Sequence, residues 1–468
     1  MGVGGNTVTP PINGPMKVKK FEIPKSDDDY AQKFLEAYRG RVRFCPDIEG
    51  WLHFRPDCGW ANDKTNATYG HLLEFARKLF ETGLDEAKHT DDQKQFLKEL
   101  SKLKDKRRLD PALALSSKDP SIIVRALELD HQPHLIGCTN GILNVLDGQF
   151  EPFNPESLIT RRINVRFDRN AKAPTWDRFI EKVQPDSQMR SFLQRLIGSA
   201  LFGAVREHYL PFHYGTGANG KSTALEGLLQ LFGDYGAKLT DSLVYKNRNG
   251  AQPHLELAGL FGARLALGEE NAAGGQLNES LLKAITGGDR VKGRFHYSDY
   301  VEAAPTYKVH LVGNHKPAIA GTDEGIWRRF LLIPWPVLIP PEERDPKLRE
   351  RIALESAGVL NWLLEGCIQW DKIGLQIPDL CKAATADFRQ ESDDLADFIA
   401  EHLEKDSEGY CLKSDVYEVY KSWSDTNRIK PMTKRLLGSA LQERGFESGR
   451  SSTATRDRSW TGWRLKQR

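Results

Sequence analysis

The strongest chemistry in this sequence lies in one run, Gly215-Thr216-Gly217-Ala218-Asn219-Gly220-Lys221-Ser222. Its spacing is GxxxxGK[ST], a loop whose backbone N–H groups can surround a polyphosphate. Gly215, Gly217 and Gly220 allow backbone angles and close approaches that a β-carbon would obstruct. Successive amides and the N-terminus of the following helix favour the negative charge. Lys221 can reach the β- and γ-phosphates, and Ser222 offers an oxygen to Mg²⁺. Thr223, at the end of the same nucleotide-binding run, suits capping or packing better than a second metal contact. Average residue frequencies give this pattern roughly 0.02 times by chance in a chain of this length. ATP with Mg²⁺ is the expected ligand.

Hydrolysis at such a loop needs an acid at the end of a neighbouring strand and a group that orients water. Glu269 and Glu270 follow the apolar run LALG and can divide these tasks, with Ser222 completing the metal set. Which does which is open. Asn314 ends VHLVGN, where a polar side chain at the carboxyl edge of a strand would meet the γ-phosphate or the lytic water. It could equally open the turn before Lys316-Pro317. Arg328 and Arg329 follow Trp327. Binding ATP within one subunit needs neither, but an arginine reaching a neighbouring subunit would make hydrolysis depend on assembly.

These groups need an α/β scaffold. From about 205 to 340 the sequence alternates apolar strands (HYLPFHYG, ARLALGEE, YKVHLVGN, IWRRFLLIPW) with helical runs (KSTALEGLLQLFG, NESLLKAI). Upstream, WLHFRPDCGW predicts two short strands joined by a turn, and HLLEFARKLF a helix. LIGCTNGILNVLDGQFEPF carries turns at Asn140-Gly141 and Asp147-Gly148, and residues 159–168 are expected to continue as strand. Helices are predicted after Pro174 and over 191–203. Asp371 to Ser392 reads as a linker with a short helix. From about 393, three amphipathic segments and the tail SWTGWRLKQR predict helix–helix–helix–strand, compatible with a winged helix.

At 468 residues, two to four domains are expected. With 39% hydrophobic and 28% charged residues the chain reads as folded and soluble, with neither a bilayer-spanning stretch nor a signal peptide. A cytoplasmic setting is the expectation. Six dispersed cysteines without a CxxC pair suit free thiols. The net charge of +2 is uninformative about nucleic acid, but Lys430–Arg468 holds ten basic against three acidic residues. Asp27, Asp28 and Asp29 are consecutive; extended or irregular backbone would spread them rather than build a metal site.

The residues GTGANGKS, GEE at 268–270, LLKAITGGDRVKGR, LVGNHKP and DEGIWRRFLLIPW, in this order, resemble the helicase module of phage and plasmid primase–helicases, a branch of the superfamily 3 helicases. The resemblance covers about 130–468 and is strongest at 210–335. It implies an AAA+ like core that assembles as a ring, usually a hexamer, on single-stranded or forked DNA, moving 3′ to 5′. It matches Lys221 and Ser222 to the phosphate loop, Glu269 and Glu270 to the acids, Asn314 to the sensor, and Arg328 or Arg329 to the finger. Lys283, Arg290, Lys292 and Arg294 become candidates for facing the DNA channel, where a basic cluster meets phosphates without reading bases. His296 and Tyr297 could stack on bases or pack beneath that hairpin, and packing is the expectation. The implied architecture is α/β: a lead-in over 1–35, a mixed region over 36–175, a helical collar over 176–205, the core over 206–345, a helical extension and linker over 346–392, and a winged helix over 393–468. About 130 residues precede the matched part and carry no convincing primase centre, so a primase is expected on another chain or a missing segment. Two other readings remain: an ATP-switched, origin-binding initiator, and a small-molecule P-loop kinase, which the basic tail and paired arginines disfavour.

Overall fold

The computed structural model describes residues 21–466 except 89, 91, 247–252, 270–274, 295–299, 320–323, 428, 430 and 451–456. Its centre is a five-stranded parallel sheet: β1 (Leu210–Tyr214), β2 (Gly236–Lys238), β3 (Leu265–Glu269), β4 (Lys308–Gly313) and β5 (Phe330–Pro334). The order is β5-β1-β4-β3-β2, with every pairing parallel. Sequences such as LALG and FLLI lack polar alternation because helices cover both faces of the sheet, and these strand residues are buried. The chain leaves β1 for the far edge at β2, works back through β3 and β4, then crosses β1 to reach β5. In such sheets ligands sit outside the carboxyl ends of the strands.

Two helices, Ser187–Gly198 and Ser356–Ile373, pack closely against each other beneath one face. Gly198 permits that approach: a β-carbon there would lie 2.5 Å from the Leu363 carbonyl oxygen and 2.7 Å from the Cys367 nitrogen. Upstream, helices Asp27–Ala37, Ala67–Ala87 and Lys106–Ser116 enclose a separate core around Tyr30, Phe34 and Phe75. The strands Val42–Cys45, Gly50–Arg55 and Gly59–Asn62 form an antiparallel meander, as do Leu135–Cys138, Gly141–Asn144 and Phe150–Glu151. Buried Arg264 ties the second meander to the central sheet by donating to the Pro133 and Leu135 carbonyls at 2.9 and 3.1 Å.

Several expectations need correction. Residues 159–168 form no strand, because their amides are divided among neighbours: Thr160 and Arg161 donate to Asp130, Ile163 to Gly137, Asn164 to Leu231. Strand β2 is only three residues long and escaped notice. The short helix expected within the linker runs 13 residues, Asp379–Glu391, and is packed rather than linking: its Thr385 hydroxyl accepts from the Leu332 amide of β5 and its Phe388 packs on Phe330. It therefore covers the sheet edge, a task that segment's polarity concealed. Asp27–Asp29 occupy the first turn of a helix capped by Ser26, where the helix dipole favours acids, and no metal-binding cluster occurs among the described residues. The lead-in thus ends earlier than residue 35.

The C-terminal module runs helix Asp394–His402, strand Leu403–Leu412, helices Lys413–Thr426 and Lys434–Glu443, then strands Glu447–Arg450 and Arg458–Leu465. The first strand is an addition to the expected order. Its three-stranded antiparallel sheet has the last strand at the centre, whose Trp460 meets Phe446 edge-on and shares one core with Phe398, Tyr420 and Leu441. All six cysteines are free and buried. No described helix is long and apolar enough to cross a membrane.

Candidate functional site

The loop after β1 turns on three positive backbone angles, at Gly217 (φ 107°), Ala218 (φ 49°) and Gly220 (φ 82°). Gly220 is doubly required, since a β-carbon there would also meet Val183 at 2.7 Å and Phe179 at 2.9 Å. Ala218 adopts the left-handed region without glycine's freedom, a local strain of a kind that concentrates at functional sites. Its carbonyl accepts from the Ile339 amide at 2.8 Å, which helps hold it there. Helix Lys221–Phe232 starts immediately after the loop, with its N-terminus at the carboxyl edge of the sheet and the Lys221 amide donating to Asn219 Oδ1 at 3.4 Å.

Lys221 is 2% exposed. Its Nζ donates to the Gly215 carbonyl (2.6 Å), Asn219 Oδ1 (3.1 Å) and Asn314 Oδ1 (3.0 Å). The loop lysine and the asparagine ending β4 are thus joined directly, which only the adjacency of β1 and β4 allows. Glu269 ends β3, the next strand, roughly 10 Å from β1 by strand spacing. Its carboxylate pairs at 2.9 Å with Lys238 at the end of β2, and that hydrogen bond raises the lysine pKa. Both side chains are substantially exposed, so the pair stabilises little and can yield. Glu270 lies outside the described residues. Ser222 is exposed at the helix start, and Thr223 is half-buried.

The two arginines differ. Arg329 folds back, donating from Nη1 to the Gly325 carbonyl at 2.7 Å, with its Nε buried. Arg328 is exposed, with no hydrogen-bond or ion-pair partner among the described residues. The basic candidates also separate. Lys292 and Arg294 alternate with buried Val291 and Gly293, so they share the outer face of a hairpin formed by Val291–Arg294 and Tyr300–Ala303. Arg290, at its base, is exposed and donates to the Glu302 carbonyl at 2.7 Å. Lys283 is half-buried on helix Glu279–Thr286. His296 and Tyr297 lie outside the described residues.

Two features were missed from sequence. A cavity of about 430 Å³ flanks the loop at Ala218, Gly220 and Thr223. Phe179, Ile339 and Leu348 supply apolar lining, while Arg178, Lys182, Arg344 and Arg351 supply cations, Lys182 paired with Glu343 and Arg351 with Asp345 in the same lining. Three distant segments build it, so no local pattern announces it. Beneath the loop, Trp335 Nε1 donates to His213 Nδ1 (3.1 Å), and His213 Nε2 lies 3.1 Å from His310 Nδ1. His213 therefore carries its proton on Nε2 and His310 also on Nε2, which is buried without a partner among the described residues. Burial holds both rings neutral, His310 down to about 4 and His213 well below its usual value.

Comparison with known proteins finds two family matches along the chain. Residues 31–185 match the family described as D5 N terminal like, and residues 390–462 the family described as Poxvirus D5 protein-like. A protein named "Putative helicase" in Acanthamoeba polyphaga mimivirus is 28% identical over 326 residues, 64% of this chain and 34% of its own length. A protein named "Putative primase" in African swine fever virus is 24% identical over 339 residues, again 64% of this chain and 34% of its own length. The chain thus spans about a third of the length of these relatives. The NrS-1 C-terminal region shares the fold, with a TM-score of 0.50 and 11% identity over 94% of this chain and 99% of that one. The similarities are to D5-type domains and to helicase- and primase-named proteins of large DNA viruses.

Proposed function

We propose that this chain is the ATP-hydrolysing motor of a replicative DNA helicase of the superfamily 3 type, with an AAA+ like core and a C-terminal winged helix. The observation that carries the reading is the contact between Lys221 and Asn314 at the carboxyl edge of a parallel sheet, with Glu269 ending the next strand. A loop lysine, a polar sensor and an acid on neighbouring strands are what triphosphate hydrolysis requires. Names of the viral relatives favour DNA replication as the setting.

The residues fit Mg·ATP. Loop amides and Lys221 would hold the phosphates, and the apolar part of the 430 Å³ cavity would take the nucleoside. Ser222 with Glu269 and Glu270 would hold the metal, which when bound neutralises phosphate charge and orders water. Lys221 exchanges its protein acceptors for phosphate oxygens. That exchange releases Asn314 to orient water, and makes the sensor responsive to occupancy. Glu269 must leave Lys238, while Glu270 is the better-placed base by sequence order. Arg328, rather than the folded-back Arg329, reaches a neighbouring subunit in a ring, a hexamer by resemblance. Lys292 and Arg294 then contact one strand of forked DNA through its phosphates, moving 3′ to 5′. A primase, where present, belongs to a separate chain or segment.

The test is displacement of a labelled strand from forked DNA. ATP-dependent displacement by the purified chain is expected. An active, ring-forming ATPase that displaces nothing would instead leave an ATP-switched initiator as the better reading.

A further inference from the structure

The C-terminal module contains an arrangement that costs stability in isolation. In its antiparallel register Arg450 is paired directly with Arg458, so the two side chains share one face at the ends of their strands. Like charges directly opposite one another destabilise a sheet. Both residues are exposed, and neither has a carboxylate partner among the described residues. A third cation stands beside them. Lys413 lies over the Trp460 ring at 3.7 Å and donates to Ser448 Oγ at 2.7 Å, and Ser448 and Trp460 are the next same-face residues along the two strands. Burial first, and then the charge of Arg458, pull the Lys413 pKa down. Lys413 also begins the 14-residue helix Lys413–Thr426, where the helix dipole disfavours a cation. Four positive contributions therefore converge on one spot, and a bound anion would offset them all.

We propose that Lys413, Arg450 and Arg458 form a phosphate clamp on the backbone of double-stranded DNA, distinct from the single-strand path along the hairpin of the motor. This rests on the winged-helix reading of the module but not on ATP hydrolysis. Duplex is favoured over single strand by the aromatic residues beside the clamp. Trp460 is buried, and Trp463 is stacked on Phe446 with centroids 4.0 Å apart and has the Lys405 ammonium 5.8 Å from its ring, so neither is an open platform for an unstacked base. Helix Lys434–Glu443 supplies a second contact with the same partner: Lys434, Arg435, Leu436 and Ser439 are exposed along it, and it follows Lys413–Thr426 as the second helix of a helix–turn–helix.

The experiment uses the full chain without nucleotide, a fluorescent 20-base-pair duplex and the matching single strand, titrated at several salt concentrations. Wild type should bind the duplex. The double variant Arg450→Gln/Arg458→Gln should bind it at least tenfold more weakly, with a salt slope reduced by about 1.8, the value for two lost phosphate contacts. Its single-strand affinity should stay within twofold, and its unfolding temperature should be unchanged or raised. Lys413→Gln should weaken duplex binding in the same direction. Unaltered duplex affinity and slope in the double variant would overturn the clamp, and so would an equal loss of single-strand binding. A lowered unfolding temperature would overturn the repulsion on which it stands. ATPase assays of the same samples separate this outcome from failure of the motor reading: wild type without turnover leaves the binding comparison intact.

Discussion

Lys221 carries the site at the scale of single residues. Its ammonium is buried against three acceptors, yet those acceptors lie at a loop and a strand end rather than in an apolar core. Lys221→Ala should therefore reduce ATP turnover at least 100-fold while leaving the circular dichroism spectrum intact; near-normal turnover would remove the site assignment. The arginines separate by a double measurement. Arg329→Ala breaks the bond to Gly325 and should lower the unfolding temperature, whereas Arg328→Ala should leave it unchanged and abolish hydrolysis with ATP binding retained. The reverse pattern would exchange their roles. The loop and its lysine were legible as a loop between strand and helix because the glycines that turn the backbone and the lysine that follows lie in one continuous run. Which arginine was free, and what Lys238 does to Glu269, were not, because both depend on where neighbouring turns and strands come to rest.

At the scale of elements, the hairpin bearing Lys292 and Arg294 is seated by one small residue. A β-carbon on Gly293 would lie 2.9 Å from the Ala258 backbone and from the Phe261 ring, so its strand rests directly on helix Pro253–Ala258. Gly293→Val should lift the hairpin, cutting DNA-stimulated turnover and strand displacement severalfold while basal ATPase stays within about twofold. Equal loss of basal activity would mean the hairpin is part of the ATP site instead. Long apolar runs such as LALG and FLLI, and strong turns such as Asn140-Gly141, made their elements readable. Elements failed to read where local pattern was weak and distant packing decided. Strand β2 has three residues, 159–168 is pinned by scattered side chains, and Asp379–Glu391 is polar on the face turned from β5. The cavity beside the loop combines both difficulties.

For the whole molecule, a shared site predicts complementation. Lys221→Ala and Arg328→Ala chains, each inactive alone, should recover ATPase on mixing, because some interfaces then pair an intact loop with an intact arginine; no recovery at any ratio would remove the trans arginine. Acid stability tests the buried centre of the sheet. His310 is held down to about 4 and His213 well below its usual value, both by burial, while the unfolded chain titrates near ~6.5. On acidification the unfolded state therefore takes up protons first, so the stabilisation is complete above ~6.5 and is lost as the pH falls towards 4. Each such histidine contributes up to about 1.4 kcal/mol per pH unit within that window. Carboxylates with lowered values, such as Asp63, act only below their usual range and leave the interval from 4.5 to 6.5 largely to histidine. Urea midpoints should fall steeply across that interval, and His310→Leu should flatten the fall by the share of one proton. A wild-type midpoint that stays level from pH 6.5 to 4.5 would mean that the imidazoles beneath the phosphate loop are open to solvent protons in the folded chain.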